Sequence, residues 1–188
     1  MRFFRSVVAT IVIVTTSVVL CAAGPNAGAE VQRADEYRVK AAMLFNFTRF
    51  IEWPSEVFSS PATPLTVCVL GVDPFGGILE DALKGHSVGG RSIQVKRIAD
   101  VEPGCHVVFI SGSERKRMSV LADRLRATGA LTIAEEEGFG TVGGMIELFT
   151  DGESVKFNIY TGALEQSRLR ASARLIALAA NQKHGGRR

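Results

Sequence analysis

The side chains that usually build active sites are scarce in this chain. It holds three histidines, and His86, His106 and His184 are scattered, none sharing a motif with a nucleophile or a carboxylate pair. No Gly-x-Ser-x-Gly elbow surrounds Ser111 or Ser113. A large charge excess is also missing: the formal net charge is +3, and the internal basic run Arg115-Lys116-Arg117 reads as a solvated helix face. That balance excludes the electrostatic footprint of a nucleic-acid binder. The glycine-rich stretch from Gly71 to Gly77 lacks the Lys-Ser/Thr of a nucleotide loop. The run Glu135-Glu136-Glu137 reads as a hydrated loop rather than a cation site. No catalytic residue, cofactor or metal is expected, and the chain reads as a non-enzyme.

Long apolar runs are confined to one place, the uncharged stretch from Ser6 to Ala23. Arg2 and Arg5 precede it and Ala27-Gly28-Ala29 follows it, the pattern of a secretory signal with its basic, apolar and cleavage regions. Residues 1–29 are therefore expected to be removed, an uncleaved anchor being the alternative. Export then carries the rest out of the cytoplasm with no direct membrane insertion. Losing two arginines and no acid takes the charge from +3 to +1. Residues 30–181 make one domain of about 150 residues, enough to bury its own core without a disulfide framework, and 182–188 form a flexible tail.

Of the three cysteines, Cys21 leaves with the signal. Cys68 and Cys105 remain, in a compartment that tends to oxidise thiols. One disulfide is the natural pairing, provided the strands carrying them are neighbours. Two separate buried thiols are the alternative, and a metal site built from Cys68, Cys105 and His106 lacks paired-ligand spacing.

What is abundant is alternation between strand and helix patterns. In Glu36–Pro54, Tyr37, Ala41, Leu44 and Ile51 recur at helical spacing, with Met43, Phe47 and Phe50 widening the stripe. Asp35 is placed to cap this helix, and Trp53-Pro54 to end it near Glu52. Leu65–Leu70 is a buried-strand pattern, followed by a helix started by Asp73 and Pro74 and running to Gly85. Ser92–Ile98 alternates as a strand, and His106–Ile110 is continuously apolar. A helix capped by Ser113 follows over Glu114–Thr128, and Leu131–Ala134 is a further strand. Met145–Phe149 and Ser154–Ile159 flank Asp151-Gly152, a hairpin turn. Gly162–Asn181 reads as a closing helix, with Leu164, Ala171, Leu175 and Leu178 on one face. The fold class is α/β: a single three-layer domain whose mostly parallel sheet is flanked by helices, with an antiparallel hairpin edge.

Ligands of such sheets favour the crevice beyond the strand ends where chain order reverses, which would gather Gly71, Asp73, Phe75, Ser111 and Ser113. Glycines that simply let strand and helix pack are the plainer reading of that loop.

The blocks Glu36-Tyr37, Lys40-Ala41-Ala42, Leu44, Asn46-Phe47, Phe50 and Trp53-Pro54 open a pattern continued by Cys68-Val69-Leu70-Gly71 and Asp73-Pro74-Phe75-Gly76. Gly104-Cys105-His106 with Phe109-Ile110, then Gly143-Gly144-Met145-Ile146, and then Leu169-Arg170-Ala171-Ser172 through Leu178-Ala179 complete it. From about Glu36 to Ala179 the chain thus resembles the YfiR-like family of periplasmic proteins. The resemblance implies a non-catalytic repressor that binds the periplasmic sensor domain of an inner-membrane diguanylate cyclase, lowering cyclic-di-GMP output and biofilm formation. It also implies a homodimer, and a disulfide between Cys68 and Cys105. The second cysteine pair that some relatives carry late in the chain is missing here. For the partner or dimer interface, the surplus aromatics Phe45, Phe47, Phe50, Trp53 and Phe58 and the arginines Arg168, Arg170 and Arg174 are the candidates. The competing expectation is a periplasmic module that presents a small metabolite to a membrane receptor or kinase.

Overall fold

A strand that is apolar at every position can be stable only with both its faces covered, and three strands here are buried throughout: β2 (Leu65–Leu70), β5 (Val107–Ile110) and β6 (Leu131–Ala134). The computed structural model describes residues 27–183. In chain order the other elements are α1 (Ala27–Phe50), β1 (Ile51–Glu52), α2 (Ile78–Leu83), β3 (Ser87–Val88), β4 (Arg91–Ile98), α3 (Met118–Arg126), β7 (Ile146–Asp151), β8 (Ser154–Tyr160), α4 (Thr161–Gln166), β9 (Arg170–Ala171), α5 (Ala173–Leu178) and β10 (Asn181–Lys183). Eight strands form one sheet in the order β10-β8-β7-β6-β5-β2-β4-β3. β4, β2, β5, β6 and β7 run parallel; β7–β8 is an antiparallel hairpin.

The two faces of the sheet carry separate cores. Val67, Val69, Val107, Phe109, Leu131 and Ile133 pack under α1, α2, α4 and α5, whereas Cys68, Leu70, Val108, Ile110 and Ala134 pack under α3. This is the three-layer α/β arrangement that the alternating pattern predicts. Cys68 and Cys105 form a disulfide with Cα atoms 5.8 Å apart, because β2 and β5 are immediate neighbours.

Several boundaries differ from expectation. α1 starts well before Asp35, which pairs with Arg38 instead of capping. Asp73 accepts from the Phe75 N–H (2.8 Å) and pairs with Arg97 (2.8 Å). The left-handed Gly76 (φ 56) then delays α2 to Ile78. A 3-10 stretch, Gly112–Arg117, precedes α3 and is capped by Ser111, not Ser113. Two of its three cations are ion-paired rather than simply solvated: Arg115 to Glu136 (2.6 Å), and Arg117 to Asp100 and Glu114 (both 3.1 Å). The hairpin turns on Gly152-Glu153, with Gly152 at φ 62 and Asp151 paired to Ser154.

The closing helix expected over Gly162–Asn181 is two short helices. α4 ends in a Schellman motif: the Leu169 N–H donates to Leu164 O (2.9 Å), the Arg168 N–H donates to Glu165 O (3.0 Å), and Arg168 sits at φ 60 where glycine is usual. The freed chain pairs β9 antiparallel to β1, Ser172 restarts the helix as its N-cap, and β10 adds a parallel strand outside β8. The hairpin is therefore covered at its outer edge, and Gln182 and Lys183, expected in the tail, belong to β10. Because a non-glycine residue in this conformation costs about 1 kcal/mol, Arg168→Gly is expected to raise the melting temperature slightly; a drop of several degrees in calorimetry would refute this account of the turn. The apolar run at Ser6–Ala23, with the rest of 1–26, and the tail beyond Lys183 lie outside the described residues. No helix among the described residues is long and apolar enough to cross a membrane.

Candidate functional site

α1 carries more apolar side chains than one face can bury. Tyr37, Ala41, Leu44 and Phe47 point into the core, and Val39, Met43 and Phe50 fall beside them toward α5. α5 contributes Leu175 inward, with Arg174 and Leu178 outward. Between the two helices lies a groove of about 820 Å³, floored by Phe47, Phe157 and Leu175, with Phe47 and Phe157 rings edge-to-face at 5.0 Å. Val39 is 47% exposed and Leu178 63%, so the apolar lining continues out to solvent. The rim is cationic. Arg174 lies over Phe50 (5.4 Å to the ring centre) and so does Arg49 (5.8 Å), and neither forms an ion pair among the described residues. Lys156, also on the rim, is tied to Asp151. Among the described residues no carboxylate lines the groove.

Of the eight sequence-derived interface candidates, the groove gathers Phe47, Phe50 and Arg174. Phe45 packs against His86 at a tilt (ring centres 4.4 Å apart) at the α1–α2 side. Trp53 and Phe58 surround His106, with the indole N–H donating to the His106 carbonyl (3.3 Å) and Phe58 stacked on the imidazole (4.5 Å). Arg170 sits in β9, and Arg168 lines a second cleft. The residues that sequence reasoning missed are Val39, Met43, Arg49, Lys156 and Leu178. Leu178 is assigned from its spacing to the inward stripe of one long helix, and the break at Arg168 turns it outward.

The proposed ligand crevice is tightly knit. Gly71 (φ 91) and Ser113 do meet, and Ser113 Oγ accepts from the Val72 N–H at 3.0 Å, so a Cβ at Gly71 would overlap the serine hydroxyl. Ser111 is buried as the cap of the 3-10 stretch, and Asp73 is engaged by Arg97. Phe75 is buried between Tyr37 and Phe109.

The second cleft, of about 440 Å³, is bounded by Trp53, Val57, His106, Arg126, Ser167 and Arg168. Ser167 is 7% exposed, and its hydroxyl and the Arg126 Nε have no hydrogen-bond partner among the described residues. His106, 5% exposed, accepts the Thr66 N–H on Nδ1 (3.0 Å). Burial, helped by the charge of Arg91, depresses its pKa below 6.5, against the pull of a backbone hydrogen bond to Val57. A depressed histidine pKa means the unfolded chain takes up the proton first. The stability from neutral His106 is thus complete above pH 6.5 and declines as pH falls from there to the folded-state pKa. Melting temperatures across that window should fall with acidification in the native protein and much less in His106→Gln; equal slopes would exclude this role.

Two buried polar clusters also escape sequence reasoning. Lys40, on α1, is buried between Glu36 and Glu135 (2.9 Å to the latter), and the Tyr37 hydroxyl donates to Glu135 (3.0 Å). Burial pulls the Lys40 ammonium down, but the hydrogen bonds to Glu36 and Glu135 more than offset it, leaving its pKa raised. Of the acidic run, only Glu137 is exposed, since Glu135 holds Lys40 and Glu136 holds Arg115. On β7, Glu147 is buried and accepts from Asn158 and from Tyr160, whose own pKa is pushed up to about 12 by burial and by that carboxylate. Among the described residues no three His, Cys, Asp or Glu side chains are grouped to hold a metal ion.

Compared with protein families, the sequence matches the YfiR/HmsC-like family over residues 37–180, well over half of its length. The chain belongs to the YfiR/HmsC-like family. No curated protein matches it significantly. Most blocks that carry the family resemblance are builders of the fold: Tyr37, Ala41, Leu44 and Phe47 fill the core, Cys68–Leu70 is the central strand, and Gly144 leaves room for the buried Phe139 ring. On the rim of the groove, Val39, Arg49 and Lys156 lie outside those blocks, whereas Arg174 falls within the closing one.

Proposed function

We propose that this protein is a periplasmic, non-catalytic regulator that docks onto the sensor domain of an inner-membrane diguanylate cyclase and holds the cyclase off. Membership of a regulatory family carries the reading. The uncovered groove supplies a surface for it, and the disulfide suits an oxidising compartment. A repressor of this kind works by binding one conformation of its target more tightly than the other. A difference of about 3 kcal/mol gives better than hundredfold control. The test is to purify the tagged protein from detergent-solubilised membranes and to measure cyclic-di-GMP in a deletion strain. Co-purification of a cyclase and a rise in cyclic-di-GMP are expected; an unchanged level with no membrane partner rejects the reading.

The second reading, a small-metabolite module, draws on one specific observation, the buried and orphaned Ser167 hydroxyl and Arg126 Nε of two residues that line the 440 Å³ cleft. Buried polar groups without partners are uncommon. The strained Arg168 lines the same cleft. A thermal-shift screen separates this reading: stabilisation by a small carboxylate, lost in Arg126→Ala, favours it over pure protein docking.

A further inference from the structure

We infer that the groove between α1 and α5 is a receptor for an amphipathic helix of a partner protein whose apolar face is flanked by acidic residues. The inference rests on the docking reading and adds the chemistry of the segment recognised. Three observations carry it.

First, the lining is apolar from floor to lip, from the buried Phe47, Phe157 and Leu175 up to the exposed Val39 and Leu178, and nothing in the described chain covers it. Second, the charge is one-sided. Among the described residues Arg49 and Arg174 flank Phe50 with no carboxylate partner and no acid lines the groove, while Lys156 on the rim is held by Asp151. Cations left unpaired around an apolar floor complement carboxylates around an apolar ridge. Third, the backbone of the floor is already engaged. β8 is paired along β7, and from Phe157 onward its outer edge is taken by the Ala180 N–H and β10, leaving too little open edge for an added strand. An occupant must therefore present side chains, which helix-in-groove docking does with anchors at helical spacing. A bilayer surface would need protruding apolar side chains, whereas the deepest ones here sit at the bottom of a concavity.

The experiment selects displayed peptides of roughly 16 residues, about four helical turns, on the immobilised protein and measures the winners by fluorescence anisotropy. The expected winners carry apolar residues at helical spacing with Asp or Glu on both flanks. Their affinity should fall about tenfold or more for the double variant Arg49→Glu/Arg174→Glu and recover when the peptide acids become lysines. Both substitutions lie on the surface, so an unchanged melting temperature confirms that the variant is folded. Three results overturn the inference: winners without acidic flanks, affinity indifferent to the double variant, or phosphatidylglycerol vesicles bound in an Arg49- and Arg174-dependent way while peptides are not. Light scattering showing that the double variant dissociates a dimer overturns it too, assigning the groove to a second copy. None of these outcomes touches the cyclase reading, which stands or falls on co-purification and cyclic-di-GMP level.

Discussion

Reducing the bond between Cys68 and Cys105 lowers the melting temperature by roughly 10 °C. The bond closes a loop spanning 37 positions. In the chain-entropy account such a closure is worth about 4 kcal/mol, and each kcal/mol corresponds to roughly 2–4 °C in a domain of this size. The location reinforces the estimate. Cys68 is fully buried in the central strand, and Cys105 leads into β5, so the bond fastens the connection on which β3, β4 and the switch between sheet halves depend. Calorimetry with and without reductant, with free thiols counted by mass spectrometry, checks the claim. A fully reduced sample that melts at the oxidised temperature disproves it.

The second large effect is expected at Glu135. Lys40, with only 5% of its side chain exposed, is held by Glu36 and Glu135, and Tyr37 donates to the same Glu135 carboxylate. Glu135→Ala leaves a buried ammonium with one partner and a tyrosine hydroxyl with none. Breaking a buried pair from one side costs about 3 kcal/mol or more. Lys40→Met, which removes the charge but keeps the length, is expected to be far milder, and the two substitutions together should cost less than their sum by over ~1 kcal/mol. Denaturant melts of the three variants decide it; additive losses would mean that the cluster does not act as a unit.

Much of the fold can be read from the sequence because its strands announce themselves. Leu131–Ala134 and Leu65–Leu70 appear where mostly apolar runs, interrupted by Thr132 and Thr66, place them, and burial on both faces dictates parallel pairing. The C-terminal third is less legible for definite reasons. A helix stop is normally written as glycine, and here the left-handed residue is Arg168, so alanine-rich composition argues for continuation through the break. β10 reads Asn-Gln-Lys, without strand propensity. It exists through its ladder to β8 and the Asn181–Asn158 side-chain bond, contacts visible only once both segments are in place. The acidic run shows the same limit, since whether a glutamate is hydrated or holds a buried lysine depends on a residue nearly a hundred positions away.

The groove was half legible. Phe47, Phe50 and Arg174 stand out as surplus to an ordinary helix, but Val39, Met43 and Lys156 acquire meaning only from their neighbours across the groove. Trp53 and Phe58, equally conspicuous in sequence, are absorbed by His106.

The short ladder pairing Ile51 with Ala171 and Glu52 with Arg170 ties the end of α1 to the segment leading into α5. The two banks of the groove therefore come from segments far apart in the chain and are joined at that clasp, where the Ser172 N–H also donates to Phe50 O (2.9 Å). A chain cut short before Arg170 retains β2, β5 and β6 but has just one bank of the groove. Formation of the groove thus reports that α1 and the segment after α4 have both folded into place.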